Sequence, residues 1–293
     1  MKHAYLIMAH NEPSVLRFLL EALDYKTNHI FIHIDSKADL SQFGDISKIC
    51  KRAQCNVLNK RIDVCWGGFS IVRCELLLYK TAYHTGRFDY YHLLSGTTLP
   101  IKPHSEINRV FENNKGKEFI GFYDRSKEHI EERVKYYYFN DGKFPRKFKR
   151  LSGWFNHISL TVQRLIHIDR SIGIDWKKGS EWCSLSSSCV ELIISKEHWI
   201  KKHFKYAFCG DEIYKQTIIW NSNFKNNIFQ KDDITKSNLV EISFTGIDKS
   251  HPTIIQKKDI NKLLTSVCLF ARKFSGEYPE AIQELKRLIS EKQ

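Results

Sequence analysis

Two short apolar runs on either side of an amphipathic helix constrain this chain more than anything else in it. Ala4-Tyr-Leu-Ile-Met-Ala9 is continuously apolar and has the length of a strand buried on both faces. Ile30-Phe-Ile-His-Ile-Asp35 resumes the strand pattern and stops at a carboxylate. Between them Asn11 is placed to cap a helix entered through Pro13, in which Val15, Phe18, Leu19, Ala22 and Leu23 share one face. Two such strands bracketing a helix predict a right-handed βαβ unit, and open sheets of that kind take ligands at the carboxyl ends of their strands. Ala9, His10 and Asn11 stand at one of those ends and Asp35 at its neighbour.

The pattern then repeats with variation. Residues 55–58 and 88–94 read as strands, with a helix between them that Ser70 caps and that carries Ile71, Cys74, Leu78 and Ala82. The loop Ser95-Gly-Thr-Thr-Leu-Pro100 breaks the second of these, and residues 118–123 read as one more strand. Further on, residues 188–203, 211–220 and 279–290 have helical periodicity, the last with Ile282, Leu285, Leu288 and Ile289 inward, and residues 239–244 read as a strand. At 293 residues and 42% hydrophobic, with 14 Gly and 6 Pro, the chain is expected to fold as one α/β domain rather than as a disordered or collagen-like polymer. No apolar run approaches the roughly 20 residues that cross a bilayer, and the run at residues 4–9 is too short for an export signal, so a cytoplasmic location is expected.

With 46 basic against 33 acidic residues the formal charge is +13, which favours nucleic acid, an acidic membrane leaflet or a phosphate-bearing substrate as partner. The eight cysteines contain no Cys-x-x-Cys pair and are expected to be reduced thiols rather than zinc ligands. Residues 133–164 interleave Arg133, Lys135, Lys143, Arg146, Lys147, Lys149 and Arg150 with Tyr136, Tyr137, Tyr138, Phe139, Phe144, Phe148 and Trp154. That texture fits either a single-strand nucleic-acid surface or a partly helical insertion whose aromatic side chains pack on the sheet. P-loop, dinucleotide-binding and nucleophile-elbow motifs are all missing, and so is any Asp-x-Asp that would hold a metal against a sugar diphosphate. A metal-free site must meet the leaving phosphates with Lys or Arg.

Eight ordered blocks carry a resemblance to a known family. They are residues 4–11, Ile32-His-Ile-Asp-Ser-Lys37, Val64-Cys-Trp-Gly-Gly-Phe-Ser70, residues 92–101, Gly179-Ser-Glu-Trp182, Gly210-Asp-Glu-Ile213, Ser250-His-Pro252 and Leu269-Phe-Ala-Arg-Lys-Phe274. In that order they resemble the core-2/I-branching β-1,6-N-acetylglucosaminyltransferases and peptide O-xylosyltransferases, in the shorter bacterial form. The resemblance implies a GT-A type, Rossmann-like α/β nucleotide-sugar transferase fold, with residues 1–123 as the nucleotide-binding half and 124–293 as the acceptor and catalytic half. It implies inverting transfer from a UDP-sugar, N-acetylglucosamine first and xylose second, without metal or other cofactor. The expected acceptor is a hydroxyl of a surface glycan, lipid-linked or not. The enzyme is then expected on or near an anionic inner membrane face, with no nucleic-acid partner.

Residue by residue, the resemblance maps the general base onto Glu212, with Asp211 as a helix cap; the plainer alternative is that Glu212 decorates the first turn of a helix. Lys273, with Arg272 beside it, maps onto the cation at the pyrophosphate, against a solvated basic face. Asp35 is expected to accept hydrogen bonds from uracil or ribose, with Ala9, His10 and Asn11 lining the same pocket. Trp66 and Gly67 either let the backbone approach a ligand or serve a plain turn. Ser180, Glu181 and Trp182 fit the acceptor side, where Trp182 stacks on a sugar or belongs to the core. The Ser95-Gly96 loop carries Thr98 where the family often has an aspartate, and Val240 stands in place of a frequent arginine. Arg133 and Lys135 are the candidates to replace that cation.

Overall fold

The computed structural model describes residues 1–139, 149–230, 236–244 and 252–291. Lys143, Phe144, Arg146, Lys147 and Phe148 of the basic stretch, and Ser250 and His251 of the seventh block, lie outside the described residues. A six-stranded sheet runs in the order β3-β2-β1-β4-β7-β6, where the strands are β1 (His3–Ala9), β2 (Asn28–Ile34), β3 (Gln54–Val57), β4 (Tyr90–Ser95), β6 (Phe119–Ile120) and β7 (Cys183–Ser186). β1 pairs in parallel with both β2 and β4, and β2 in parallel with β3. β7 runs antiparallel to β4 and β6. β1 and β2 are buried along nearly their whole length, as helix-covered parallel strands must be. The expected α/β class and the first βαβ unit are therefore present, and the strand order reverses between β1 and β4.

Helices α1 (Pro13–Ala22), α2 (Phe69–Thr85) and α3 (His104–Asn113) serve the first half. α4 (Lys127–Lys135), α5 (Lys149–Leu165), α6 (Ser187–Ser195), α7 (Glu197–Phe204) and α8 (Tyr214–Trp220) follow, then α9 (Ile260–Thr265) and α10 (Pro279–Ser290). A second, three-stranded sheet has the order β5-β9-β8, built from β5 (Leu99–Pro100), β8 (Val240–Ile242) and β9 (Phe270–Arg272). β9 is antiparallel to β5 and parallel to β8, so the end of the chain is stitched to the loop after β4.

Several local expectations need correction. Asn11 does not cap α1: its N-cap is Glu12, in the left-handed region at φ 56°, with no side-chain cap. The Glu12 carboxylate instead accepts the Ser275 hydroxyl at 2.7 Å and the Gly276 N–H at 2.8 Å. Ser70 does not cap α2, which starts after Gly68; its hydroxyl accepts the Cys65 N–H at 2.8 Å. The single helix expected over 188–203 is two, α6 and α7, divided at Lys196. The strand expected over 118–123 is only β6, because residues beyond Ile120 turn away to meet the 178–180 segment. Asp211 caps nothing: Gly210–Glu212 form a 3-10 turn and α8 begins at Tyr214 behind Ile213.

Candidate active site

The reversal between β1 and β4 is where an open α/β sheet has room for a ligand beyond its strand ends. A cleft of about 510 Å³ lies there. It gathers Ala9, His10 and Asn11 from the end of β1, Asp35 from the end of β2, and Ser95 and Gly96 from the end of β4, with Trp66, Glu181, Trp182, Arg272 and Lys273. Close packing builds it. Gly96 donates its N–H to the Met8 carbonyl at 2.8 Å, and a Cβ on Gly96 would sit 3.0 Å from that of Ala9. The Ser95 hydroxyl lies 2.9 Å from that of Thr98, so Thr98 ties the loop together as a buried structural residue.

Asp35 is held on both oxygens. One accepts the Lys37 N–H at 2.8 Å and lies 3.2 Å from the Lys37 ammonium, and the other accepts the Val64 N–H at 3.2 Å. His10 has its pKa lowered, first by burial and then, against the pull of Asp35, by Lys273, Lys37 and Arg272. Its neutral imidazole can therefore hydrogen-bond a nucleotide without adding charge. Arg272 lies with its guanidinium 4.7 Å over the Trp182 ring, and its Nε is buried without a hydrogen-bond partner. Trp182 is itself buried, so its ring serves as the bed for Arg272 rather than as an open platform for a sugar. Trp66, 79% exposed and set edge-on to Phe208, is the open aromatic surface of the cleft.

A second cleft of about 580 Å³ takes Ser180 and Glu212, with Tyr123, Arg125, Lys178, Asn238, Val240 and Phe244 among its lining. Its partition from the first cleft is the segment from Ser180 to Trp182, whose consecutive residues line one and then the other. Gly179 makes that segment possible. Its N–H donates to the Glu212 carbonyl at 2.8 Å, and a Cβ there would lie 1.8 Å from the Gly121 carbonyl oxygen. Glu212 is paired with Arg133 at 3.2 Å and with Lys178 at 2.9 Å. Arg133 is thus at the site. Lys135 is not, since it turns to Asp169 at 3.1 Å. Gly67 is a backbone approach to protein, not to ligand: at φ 72°, its carbonyl accepts the Cys209 N–H at 3.0 Å, and a Cβ would strike the Phe208 ring at 2.7 Å.

The carboxylates behind the partition share one field. Burial, then the charges of Glu75 and Glu212, push Glu181 up to about 8 against the pull of Lys215 and Arg272. Asp211 is pushed up to about 8 by burial, Glu181 and Glu212, and its Oδ1 is buried without a partner. Beneath them Glu75 of α2 and Lys215 of α8 form a fully buried ion pair, with the Tyr214 hydroxyl donating to the same Glu75 oxygen. Lys178, Glu75 and Lys215 belong to no motif that marks them in the sequence. The available sign was Glu75 lying four residues from both Ile71 and Tyr79, on the face of α2 that is buried. Among the described residues no three His, Cys, Asp or Glu side chains stand together as metal ligands, all eight cysteines are free thiols, and no helix is long and apolar enough to cross a membrane.

Residues 3–263 match the family model described as Core-2/I-Branching enzyme. The xylosyltransferase sqv-6 of Caenorhabditis briggsae is 25% identical over 242 residues, which cover 78% of this chain and 26% of that protein. Xylosyltransferase 2 of Rattus norvegicus is 23% identical over 226 residues, covering 75% of this chain and 24% of that one. The chain therefore spans about a quarter of the length of these curated relatives. A solved structure, apo mouse xyloside xylosyltransferase 1, is similar over 75% of this chain and 82% of its own at 11% identity, with a TM-score of 0.35 that bears no weight here. The family match takes in Ala9 to Asn11, Asp35, Glu181 and Glu212 and stops short of Arg272 and Lys273, and on its extent the chain belongs to the Core-2/I-Branching enzyme family.

Proposed function

We propose that the chain is an inverting, metal-independent glycosyltransferase that moves a sugar from a UDP-sugar to a hydroxyl of a glycan. One observation carries this reading: a cleft at the strand reversal holds two cations, Arg272 and Lys273, and shares a wall with a second cleft that holds Glu212. The nucleotide takes the first cleft, with Asp35 and neutral His10 toward its polar edges and Trp66 as a stacking face. The acceptor takes the second. Its hydroxyl oxygen attacks C1 of the donor sugar as Glu212 removes the proton, the bond from C1 to the phosphate oxygen breaks, and UDP leaves with that electron pair. Arg272 and Lys273 offset the charge that builds on the diphosphate, the role a metal fills elsewhere. Arg133 and Lys178, bound to Glu212, supply positive charge where Val240 supplies none.

A second reading of the base rests on Glu181, which lines the cleft of Arg272 and Lys273 and, with its raised pKa, holds a proton tightly once it has one. The donor sugar is N-acetylglucosamine or xylose, and relatives named xylosyltransferases bring xylose level with the first choice.

The test pairs binding with turnover. UDP and the UDP-sugars are expected to raise the melting temperature, since a ligand of the native state stabilises it by mass action. Transfer is expected to persist in excess chelator, and Lys273→Ala to lower it by about two to three orders of magnitude. Activity abolished by chelator and restored by manganese would overturn the metal-free mechanism. Unchanged turnover and UDP affinity in Lys273→Ala would return Lys273 to the solvent.

A further inference from the structure

Helix α5 turns its apolar stripe to water. Polar side chains seat it on the protein: buried Gln163 accepts the Tyr137 N–H at 2.7 Å and donates to the Tyr137 carbonyl at 3.1 Å, and Asn156 accepts the Phe139 N–H at 3.2 Å. Its apolar side faces water. Trp154, Ile158, Val162, Leu165 and Ile166 are all exposed, Trp154 at 66% and Leu165 at 73%. At about 100° per residue they fall within an arc of about 120° that holds no polar side chain. Phe155 lies within the same arc, 45% exposed and edge-on to Phe139. Among the described aromatic side chains of the stretch, Trp154 does not pack on the sheet, while Tyr136 is buried.

Apolar residues scattered singly over a surface need no explanation, but a continuous stripe does. Half a turn of the helix about its axis would bury this one, and the hydrogen bonds of Gln163 and Asn156 hold it the other way. The charge of the chain says what covers it. Directly before the stripe the sequence reads Lys143-Phe-Pro-Arg-Lys-Phe-Lys-Arg150, with basic residues at 143, 146, 147, 149 and 150 and no acid, in a chain of formal charge +13. Apolar side chains including tryptophan, next to a basic run, are what a helix needs to lie in the headgroup layer of an anionic bilayer. A second copy of the chain would set like charge against like. Against a nucleic acid, Arg133, Lys135 and Arg164 are each paired with a carboxylate, of Glu212, Asp169 and Glu132, and the exposed stripe beside the basic run carries no charged side chain.

We propose that helix α5 docks the protein on an anionic lipid surface, lying in the plane of the membrane with the Trp154 to Ile166 stripe inserted. The docking is independent of what the two clefts bind. It is tested by flotation of the full chain with vesicles of phosphatidylcholine and phosphatidylglycerol, and with phosphatidylcholine alone. The wild type is expected to float with the anionic vesicles only. Ile158→Glu combined with Leu165→Glu, at positions already in water, is expected to weaken that partition by more than about tenfold with the melting temperature unchanged. Equal flotation of the variant would overturn the proposal in favour of surface charge alone. So would a wild type that ignores both vesicles, or one that is a dimer in sedimentation equilibrium and becomes a monomer on this substitution.

Discussion

Glu212→Gln is expected to lower transfer by about 10² to 10⁴-fold while UDP still raises the melting temperature as it does for the wild type. General-base assistance is worth about that much, and the amide keeps the length and the acceptor oxygen of the glutamate while losing the ability to take a proton. Glu181→Gln is the rival variant. If it falls by that factor while Glu212→Gln keeps more than about a tenth of the activity, the base is on the partition and Glu212 only orders the second cleft. Asp211→Asn completes the set as a control that is expected to transfer normally. Its effect is on stability, and the sign follows from the raised pKa. A carboxyl that moves from 3.8 to about 8 on folding binds more protons in the native state between those limits, so the wild type loses stability as pH rises through that window. Asn carries no such charge, so the variant is expected to melt above the wild type near pH 8 and level with it near pH 4.

Gly179→Ala is expected to abolish activity and to destabilise the fold by about 3 kcal/mol or more. The added Cβ would stand 1.8 Å from the Gly121 carbonyl oxygen, so one of two backbone segments must move. Either movement breaks the partition between the clefts, because Gly179 also holds the Glu212 carbonyl. For a chain of this size such a change lowers the melting temperature by about 5 °C or more. Gly153→Ala is the comparison, since nothing lies within 4 Å of a Cβ at that helical position. Ala there is expected to stabilise by about 1 kcal/mol. A Gly179→Ala variant with wild-type melting and transfer would mean that the segment is looser than its hydrogen bonds imply.

The parts of the fold legible in the sequence were those whose burial leaves a period. β1 and β2 were marked by apolar runs, and α10 was found at its actual bounds, because a helix with one face inward repeats its apolar residues every three or four positions. Of the three-stranded sheet only β8 was legible, inside the strand read over residues 239–244. β5 has two residues and β9 three, too few for any alternation to register. The break at Lys196 between α6 and α7 was hidden because Ser195-Lys-Glu-His198 contains no Gly or Pro and apolar residues resume at Trp199. At the site, strand ends were readable from topology, which is why Ala9, Asp35 and Ser95 fall in one cleft. Lys178 was not, since it stands in an irregular segment, where its ammonium meets Glu212 and the Tyr123 ring. Lys135 and Lys178 are alike in composition, and only the fold decides that one faces Asp169 and the other the site.

The stitching of β9 onto β5 has a consequence for the order in which the protein comes into being. A ribosome releases the strands of the large sheet, and the loop after β4, long before it releases residues 270–273. Until then the first cleft has walls but none of the positive charge of Arg272 and Lys273, and the loop carrying Leu99 and Pro100 has no partner strand. Such distant pairings close late, since the chain between them must be ordered first. A nascent chain that has not yet released residues 270–273 therefore holds the large sheet and Glu212 but lacks Arg272 and Lys273, so under the proposed function capture of a diphosphate waits on the synthesis of these two residues.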